Sequence, residues 1–517
     1  MQLQPDKLLE RANKAFAERD ASRQLFEDVD EFVNPFRNTW SANNQQTHNK
    51  PSRQFDSTAM HSAANFVNTV QSNFFPVFTR WAEFRAGPAY PEKERKRINK
   101  DLEKLTEVVF SYIDASNFNT AISEMIYDWG KGTGSLWLHE GDEQQPLNFV
   151  AAPMSQIGID EGRHGTVSGK FRKHNIKGRN VLATWRGDKI TLSSDLQSVI
   201  NDKPDDDLCF IECLYYDEAE FVWRYEVIAE RMKERILSRA YPEEPCFTPR
   251  WLKIPGFAYG IGPFVMALAD IKTLNKVKEY MLRSAALNVF GVYTVSSSGT
   301  FNPSGVSLAP GAFIPVERNG GPNGPSIAPL PRNGDFQMQE FLVRDLQDSI
   351  RKTLLDTRLP EETPQPKTAY EIAERIRDFQ QDIGSAFGRG MHEFVQPLFR
   401  RIVGILQRKG LIALPEGFQI DNFFVEVAVV SPIAKAQGVR DVQTFMQNYQ
   451  MVAQISPELA LTAYEIEQLP AWLADKTGSP ASLLRSDAEA QQLQQMAAQT
   501  LANMMAAQQQ QQGAPVA

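Results

Sequence analysis

The sequence predicts an α+β protein that is mainly helical, and three observations lead there. Apolar residues recur at three- and four-residue steps near both ends of the chain, the period drops to two between about residues 136 and 230, and a Gly- and Pro-rich stretch separates two long helical segments after residue 288. At 517 residues the chain exceeds one ordinary core and divides into several lobes.

From Lys7 to about Asn38 the pattern is helical, with Leu8, Leu9, Ala12, Ala15 and Phe16, then Leu25, Phe26, Val29, Phe32 and Val33, on one face until Pro35 ends it. In "FDSTAMHSAANFVNTVQSNFFP", Ala59, Ala63, Phe66, Val67, Val70 and Phe74 form an apolar stripe; Asp56 or Ser57 is the N-cap and Pro76 the stop. Two more helices are predicted at about 91–115 and 118–130. "SLWLHE", "LNFVAA", "IGID", "VSGKFRKH", "CFIECLYYD" and "VWRYEVIAE" then read as short strands, with a turn at Asp160 to Gly165.

After Pro263 a helix runs to about residue 288. Residues 289–334 carry short β-type runs, "FGVYTV" and "AFIPV", among Gly, Pro, Ser and Asn, and read as a small β-and-loop module. A second helix covers 335–356. The stiff break "TRLPEETPQPK", 357–367, places Pro360, Pro364 and Pro366 where no helix can continue. Thr368 and Glu371 then form a capping box for a helix reaching about residue 409, in which Pro397 costs a backbone hydrogen bond and kinks the rod. "VEVAVV" is one more strand, and residues 491–517 are an Ala-, Gln- and Met-rich tail, helical or disordered.

Composition excludes several classes. With 42% hydrophobic and 23% charged residues the chain is globular, and no run approaches the roughly 18 apolar residues of a membrane helix, so no membrane partner is expected. The N-terminus has no apolar core of a signal peptide, which predicts synthesis in a cytoplasm. Cys209, Cys213 and Cys246 read as buried small hydrophobes rather than a disulfide framework. The net charge of -8 excludes the broad basic surface of a sequence-specific DNA binder.

No catalytic, cofactor or metal residues are expected. "GKGTGS" lacks the Gly-Lys-Ser/Thr end of a phosphate loop, because Lys131 is followed by Gly132; Lys170 is likewise followed by Phe171, and a helix C-cap explains the glycines more simply. "HEGDE" from His139 and "DEGRH" from Asp160 read as solvated turns rather than metal clusters, and His392 and Glu393 have no second His four residues on.

Several stretches together resemble the portal, or head-to-tail connector, proteins of short-tailed bacteriophages. They are "FVNPF" (32–36), "FDSTAMHSAANFVNTVQSNFFPVFTRWAEFRAG" (55–87), "ISEMIYDWGKGTGSLWL" (122–138), "YGIGP" (259–263), "KTAYEIAERIRDF" (367–379) and "FVQPLFRRIVGILQRKG" (394–410). The resemblance covers about residues 7–450, and the order of the motifs is as informative as the motifs. It implies a twelve-subunit ring at one capsid vertex, through which double-stranded DNA enters and leaves. It also implies a wing (1–262), first stem helix (263–288), clip (289–334), second stem helix (335–356), tunnel loop (357–367), long wing helix and connection (368–419) and crown (420–490). The implied partners are a terminase, a tail adaptor, and major capsid and scaffolding proteins, and the implied location is the virion. A tail adaptor, an internal scaffold or a packaging enzyme are the alternative readings.

Within that frame Leu274, Val277 and Met281 on the first stem helix, and Leu342, Leu346 and Ile350 on the second, are stem-packing positions, buried by ring neighbours or inside one subunit's own core. Arg351, Lys352, Arg358, Leu359, Pro360, Glu361, Glu362 and Lys367 are the channel candidates. Arg318 and Asn319 are the candidates for partner contact at the clip. A uniformly basic lumen would hold DNA by counterion release, so sparse cations on an acidic subunit suit a conduit.

Overall fold

The computed structural model describes residues 3–37, 40, 54–185, 190–296, 312–316, 325–329, 336–356, 384, 386, 388–413, 420, 424–429, 432–456, 463–464 and 469–477. The first helical reach is two helices, α1 (Pro5–Asp20) and α2 (Arg23–Val33), because the two serve different cores. α1 lays Leu8, Ala12 and Phe16 on one sheet face, whereas Val29 and Val33 of α2 enter the main core. At the break, the buried Arg19 guanidinium donates to Asp20 and to the Ser155 carbonyl.

α3 (Thr58–Phe74), α4 (Glu92–Ala115) and α5 (Phe118–Lys131) build the main core around Trp81, whose ring lies 4.9 Å from Phe75 and 5.3 Å from Phe399. The start of α3 divides the cap between the two candidates. Ser57 occupies the cap position without a side-chain bond, and Asp56 Oδ1 accepts the Thr58 N–H at 2.8 Å. β1 (Ala82–Ala86) has its outer edge covered by α4, since the Phe84 and Ala86 N–H groups donate to Thr106 Oγ1 and Asn99 Oδ1.

β2 (Leu136–Glu140) and β3 (Leu147–Ala151) open the β-rich middle. β4 (Ile157–Glu161), β5 (Val167–Lys177), β6 (Asp207–Asp217), β7 (Val222–Ala229) and β8 (Glu234–Tyr241) form one antiparallel meander in that order. Its outer face, with Phe171, Ile211, Cys213 and Ile228, lies under α1. The inner face packs Phe210, Leu214 and Tyr225 against Trp137 of β2, Cys246 of β9 (Cys246–Phe247), Trp185 beside α6 (Val181–Thr184), and Leu196 of α7 (Ser194–Asp202). The sheet β3-β2-β9 therefore has one face on each core: Leu136, Leu138, Phe149 and Phe247 belong to the helical one.

The stretches expected to be solvated turns begin as strand ends with partners, at His139–Glu140 and Asp160–Glu161, and are exposed beyond them, at Asp142, Glu143, Arg163 and His164. Glu140 binds Arg401 and Arg408 at 3.1 and 2.9 Å, Asp160 binds Arg11 at 2.5 Å, and Glu161 binds Lys253. Local sequence reads these charges as loop-like because their counterions come from remote segments.

β10 (Leu252–Lys253) and β11 (Gly260–Ile261) lead into α8 (Pro263–Met266) and α9 (Leu268–Phe290), which is followed by β12 (Tyr293–Ser296), β13 (Phe313–Val316), β14 (Ile327–Pro329) and α10 (Phe336–Thr353). β12 lies between a parallel β13 and an antiparallel β14, so the insertion does hold a small sheet. Beyond it, residues 388–390 are helical, a π turn covers Met391–Val395, and α11 (Gln396–Arg408) follows. Pro397 thus falls in the first turn of α11, where a missing N–H is least needed, and the π turn takes up the irregularity.

β15 (Val425–Val429) pairs antiparallel with β1, so residues 425–429, placed in the crown from sequence, complete a sheet of the N-terminal lobe. α12 (Pro432–Ile455) and α13 (Leu469–Thr477) meet through Phe445 and Trp472 at 5.2 Å.

Candidate channel and docking surfaces

Burial along the α9–α10 hairpin changes from base to tip. At the base Leu268, Ile271 and Leu274 of α9, and Ile350 and Leu354 after them, are enclosed by their own chain. Toward the tip Tyr280, Leu282, Val289 and Phe290, then Met338, Phe341 and Leu342, stand exposed, with Phe313 and Ile327 of the small sheet. Of the six stem-packing positions, Leu274 and Ile350 are buried within the subunit, Val277, Met281 and Leu346 pack partly on its core, and Leu342 faces outward.

The base is held polar group by polar group. Ser349 Oγ donates to Asp270 Oδ2 at 2.8 Å across the hairpin, Lys272 binds Asp28 of α2 at 2.5 Å, and Gln347 Nε2 donates to Asp56 Oδ2 at 3.0 Å. α10 then closes with paired bonds from Leu355 N–H to the Lys352 carbonyl and from Asp356 N–H to the Arg351 carbonyl. Leu355 takes the left-handed conformation, φ 56°, that this cap requires, and its side chain is buried. Asp356 Oδ2 accepts from Ser62 Oγ and Asn65 Nδ2 of α3, both at 3.0 Å. Asp356 therefore pins the end of α10 to α3.

Among the channel candidates, Arg351 and Lys352 occupy the last turn of α10, where cations complement the helix dipole, and Arg351 binds Asp348 at 3.2 Å. Lys352 is exposed. Arg358, Leu359, Pro360, Glu361, Glu362 and Lys367, with Arg318 and Asn319 of the clip, lie outside the described residues. Among the described residues no group of three or more His, Cys, Asp or Glu side chains could hold a metal ion, and no helix is long and apolar enough to cross a membrane.

The two glycine-rich motifs meet behind the hairpin. Gly132 caps α5 at φ 147°, and a Cβ there would stand 2.0 Å from the Gly260 carbonyl oxygen; one on Gly262 would stand 2.1 Å from that of Gly130. Gly262 N–H donates to the Lys131 carbonyl at 3.0 Å and Gly260 N–H to Thr133 Oγ1 at 2.9 Å. The lysine that invited a phosphate reading is buried, with Nζ 2.6 Å from Asp30 and 3.0 Å from Asp128. Burial works against its charge, but Asp128 and Asp30 outweigh burial and hold its pKa above the ordinary value. Lys170 is buried as well and bound to Glu244.

The π turn is locked from the β-rich middle. Arg250, almost fully buried, donates to Glu393 from Nη2 at 2.6 Å and from its backbone N–H at 2.9 Å, and its guanidinium also reaches the Gly165 carbonyl at 2.8 Å. Sequence gave no sign of this pair, because its members are 143 residues apart.

The α+β body thus carries a helical hairpin that is apolar at its tip, and the glycines of its two motifs make backbone contact. A model of the bacteriophage head to tail connecting protein family matches residues 5–484, and the chain belongs to that family. The family is one of structural portal proteins, not enzymes. The portal protein of Escherichia phage T7 is 21% identical over 327 residues, covering 60% of this chain and 57% of its own length. The probable portal protein of Bordetella phage BPP-1 is 24% identical over 281 residues, covering 52% and 49%. The chain spans about half the length of the curated relatives it matches. Among solved structures, a chain of the virion of a native gene transfer agent particle aligns with a TM-score of 0.37 at 12% identity, covering 77% of this chain and 87% of its own.

Proposed function

We propose that the chain is the portal subunit of a short-tailed phage, assembled as a twelve-copy ring at one capsid vertex that conducts double-stranded DNA during packaging and ejection. The observation that carries the reading is the apolar tip of the hairpin. Seven large hydrophobic side chains from α9 and α10, Tyr280, Leu282, Val289, Phe290, Met338, Phe341 and Leu342, are left to solvent on a pair of adjacent helices, and a surface of that kind asks for a partner. Copies set side by side around an axis would bury it in a repeating contact. In this arrangement α9 and α10 form the stem, the β12–β14 module the clip that docks the terminase and later the tail adaptor, and 357–367 the tunnel loop.

The acidic balance of the chain, -8 per copy, favours passage of DNA over retention. Arg351 and Lys352 supply a sparse cationic ring beside the loop. Negative-stain imaging and native mass measurement of the purified protein are expected to show a ring with a central hole. A stable monomer under assembly conditions would overturn the proposal.

A further inference from the structure

The β12–β14 sheet offers a partner a face but no edge. The register sets Tyr293, Phe313 and Pro329 directly across from one another, and Val295, Pro315 and Ile327 likewise, so these side chains share one side of the sheet. On that side Phe313 and Ile327 are 62% and 53% exposed, and Pro315 and Pro329 are exposed as well. On the other side Thr294, Ile314, Val316 and Ala328 are all half-buried. The exposed side carries no charge, and its one hydroxyl belongs to Tyr293, whose ring stacks on Phe313 at 5.7 Å.

Proline closes both edges. Tyr293 N–H donates to the Ala312 carbonyl at 3.0 Å, so Tyr293 and Val295 turn their backbone groups toward β13 and Thr294 turns its own toward β14. Phe313 and Pro315 of β13, and Ile327 and Pro329 of β14, therefore direct theirs away from the sheet. A proline at an outward position has no N–H to give, so a strand added to either edge would meet a missing donor. Among the described residues no strand lies beyond β13 or β14. Packing across the face needs no backbone group.

The face adjoins the apolar tip of the hairpin. Only Gly291 and Val292 separate Tyr293 from Phe290, the exposed end of α9, and a Cβ on Gly291 would stand 2.9 Å from the Tyr293 ring. That stretch of chain spans at most about 10 Å, so a copy seated on the hairpin tip is within reach of the sheet. We propose that the apolar face of the β12–β14 sheet packs against a neighbouring copy of this chain, while Pro315 and Pro329 keep neighbouring copies from joining their sheets edge to edge. This contact rests on the ring proposed above and carries it past the hairpin.

The test places the photo-crosslinking residue p-benzoylphenylalanine in the full-length protein, in turn instead of Phe313, Ile327 or Val316, and keeps the variants that native mass spectrometry shows as rings. Irradiation is expected to join copies into covalent dimers from the Phe313 and Ile327 sites and not from the Val316 site on the opposite side. In unmodified rings, hydrogen exchange resolved to single amides is expected to leave Phe313 and Ile327 unprotected and Ile314, bonded within the sheet, protected. Rings that give no dimer from the Phe313 and Ile327 sites, or as much from the Val316 site, overturn the face contact and leave the ring standing. Protection of Phe313 and Ile327 equal to that of Ile314 overturns the closed edges. An unmodified protein that stays monomeric overturns the ring and this contact with it.

Discussion

Replacing Lys131 by Met tests whether "GKGTGS" serves carboxylates or phosphate. The side chains of Lys131, Asp30 and Asp128 are each at most 2% exposed, and the ammonium is 2.6 and 3.0 Å from the two carboxylates. Arg37 reaches Asp128 at 2.9 Å, and Trp40 Nε1 donates to Asp30 Oδ2 at 3.1 Å. Methionine occupies a similar volume, so the loss is electrostatic: two buried carboxylates are left with one guanidinium between them. Removing one partner of a buried pair costs about 3–5 kcal/mol. Adding Asp30→Asn to K131M removes the stranded charge and is expected to recover about 1–3 kcal/mol through coupling. Equilibrium urea denaturation of the full chain, followed by tryptophan fluorescence, measures both. A K131M variant within about 0.5 kcal/mol of the parent refutes the reasoning. So does an ATP-induced thermal shift in the parent that K131M loses, because the lysine would then be serving phosphate.

Gly132→Ala forces a methyl group against the Gly260 carbonyl at a φ that L residues avoid, so it should cost about 3 kcal/mol and appear as insoluble or early-melting protein. Phe341→Asp is expected to leave the melting temperature of the subunit nearly unchanged, because the side chain is exposed, and to abolish ring formation in native mass spectra. An intact ring from that variant would remove the hairpin tip from the assembly interface. Deletion of Leu359 to Pro364 is expected to leave rings intact and to impair DNA packaging or retention, scored as empty heads; normally filled heads would end the tunnel-loop assignment.

The hairpin was legible in sequence because helices with an apolar period bracket a Gly- and Pro-rich insertion, and both signals are local. Strand β8, "ERILSRAY", escaped notice since its apolar residues do not alternate; a bulge at Val227 and Ile228 shifts its register against β7. His139 and Glu140 were misread as a solvated turn because the charges that satisfy Glu140, Arg401 and Arg408, arrive from α11, more than 250 residues later. The anchor at Asp356 was likewise invisible, since Ser62 and Asn65 of α3 lie some 290 residues before it.

By itself the sequence determined the α+β class, the order of the main helices and of most of the longer strands, the break after α10 and the absence of a phosphate loop, because periodicity, proline and motif spacing act within a few residues. Only the tertiary structure decided that Gly132 and Gly260 are each other's reason for being glycine, that Lys131 is an ion-pair partner, and that hairpin burial ends before Leu342. Those outcomes depend on which distant segments close to within a van der Waals contact or a hydrogen bond, and on where one chain runs out of its own surface to cover an apolar face.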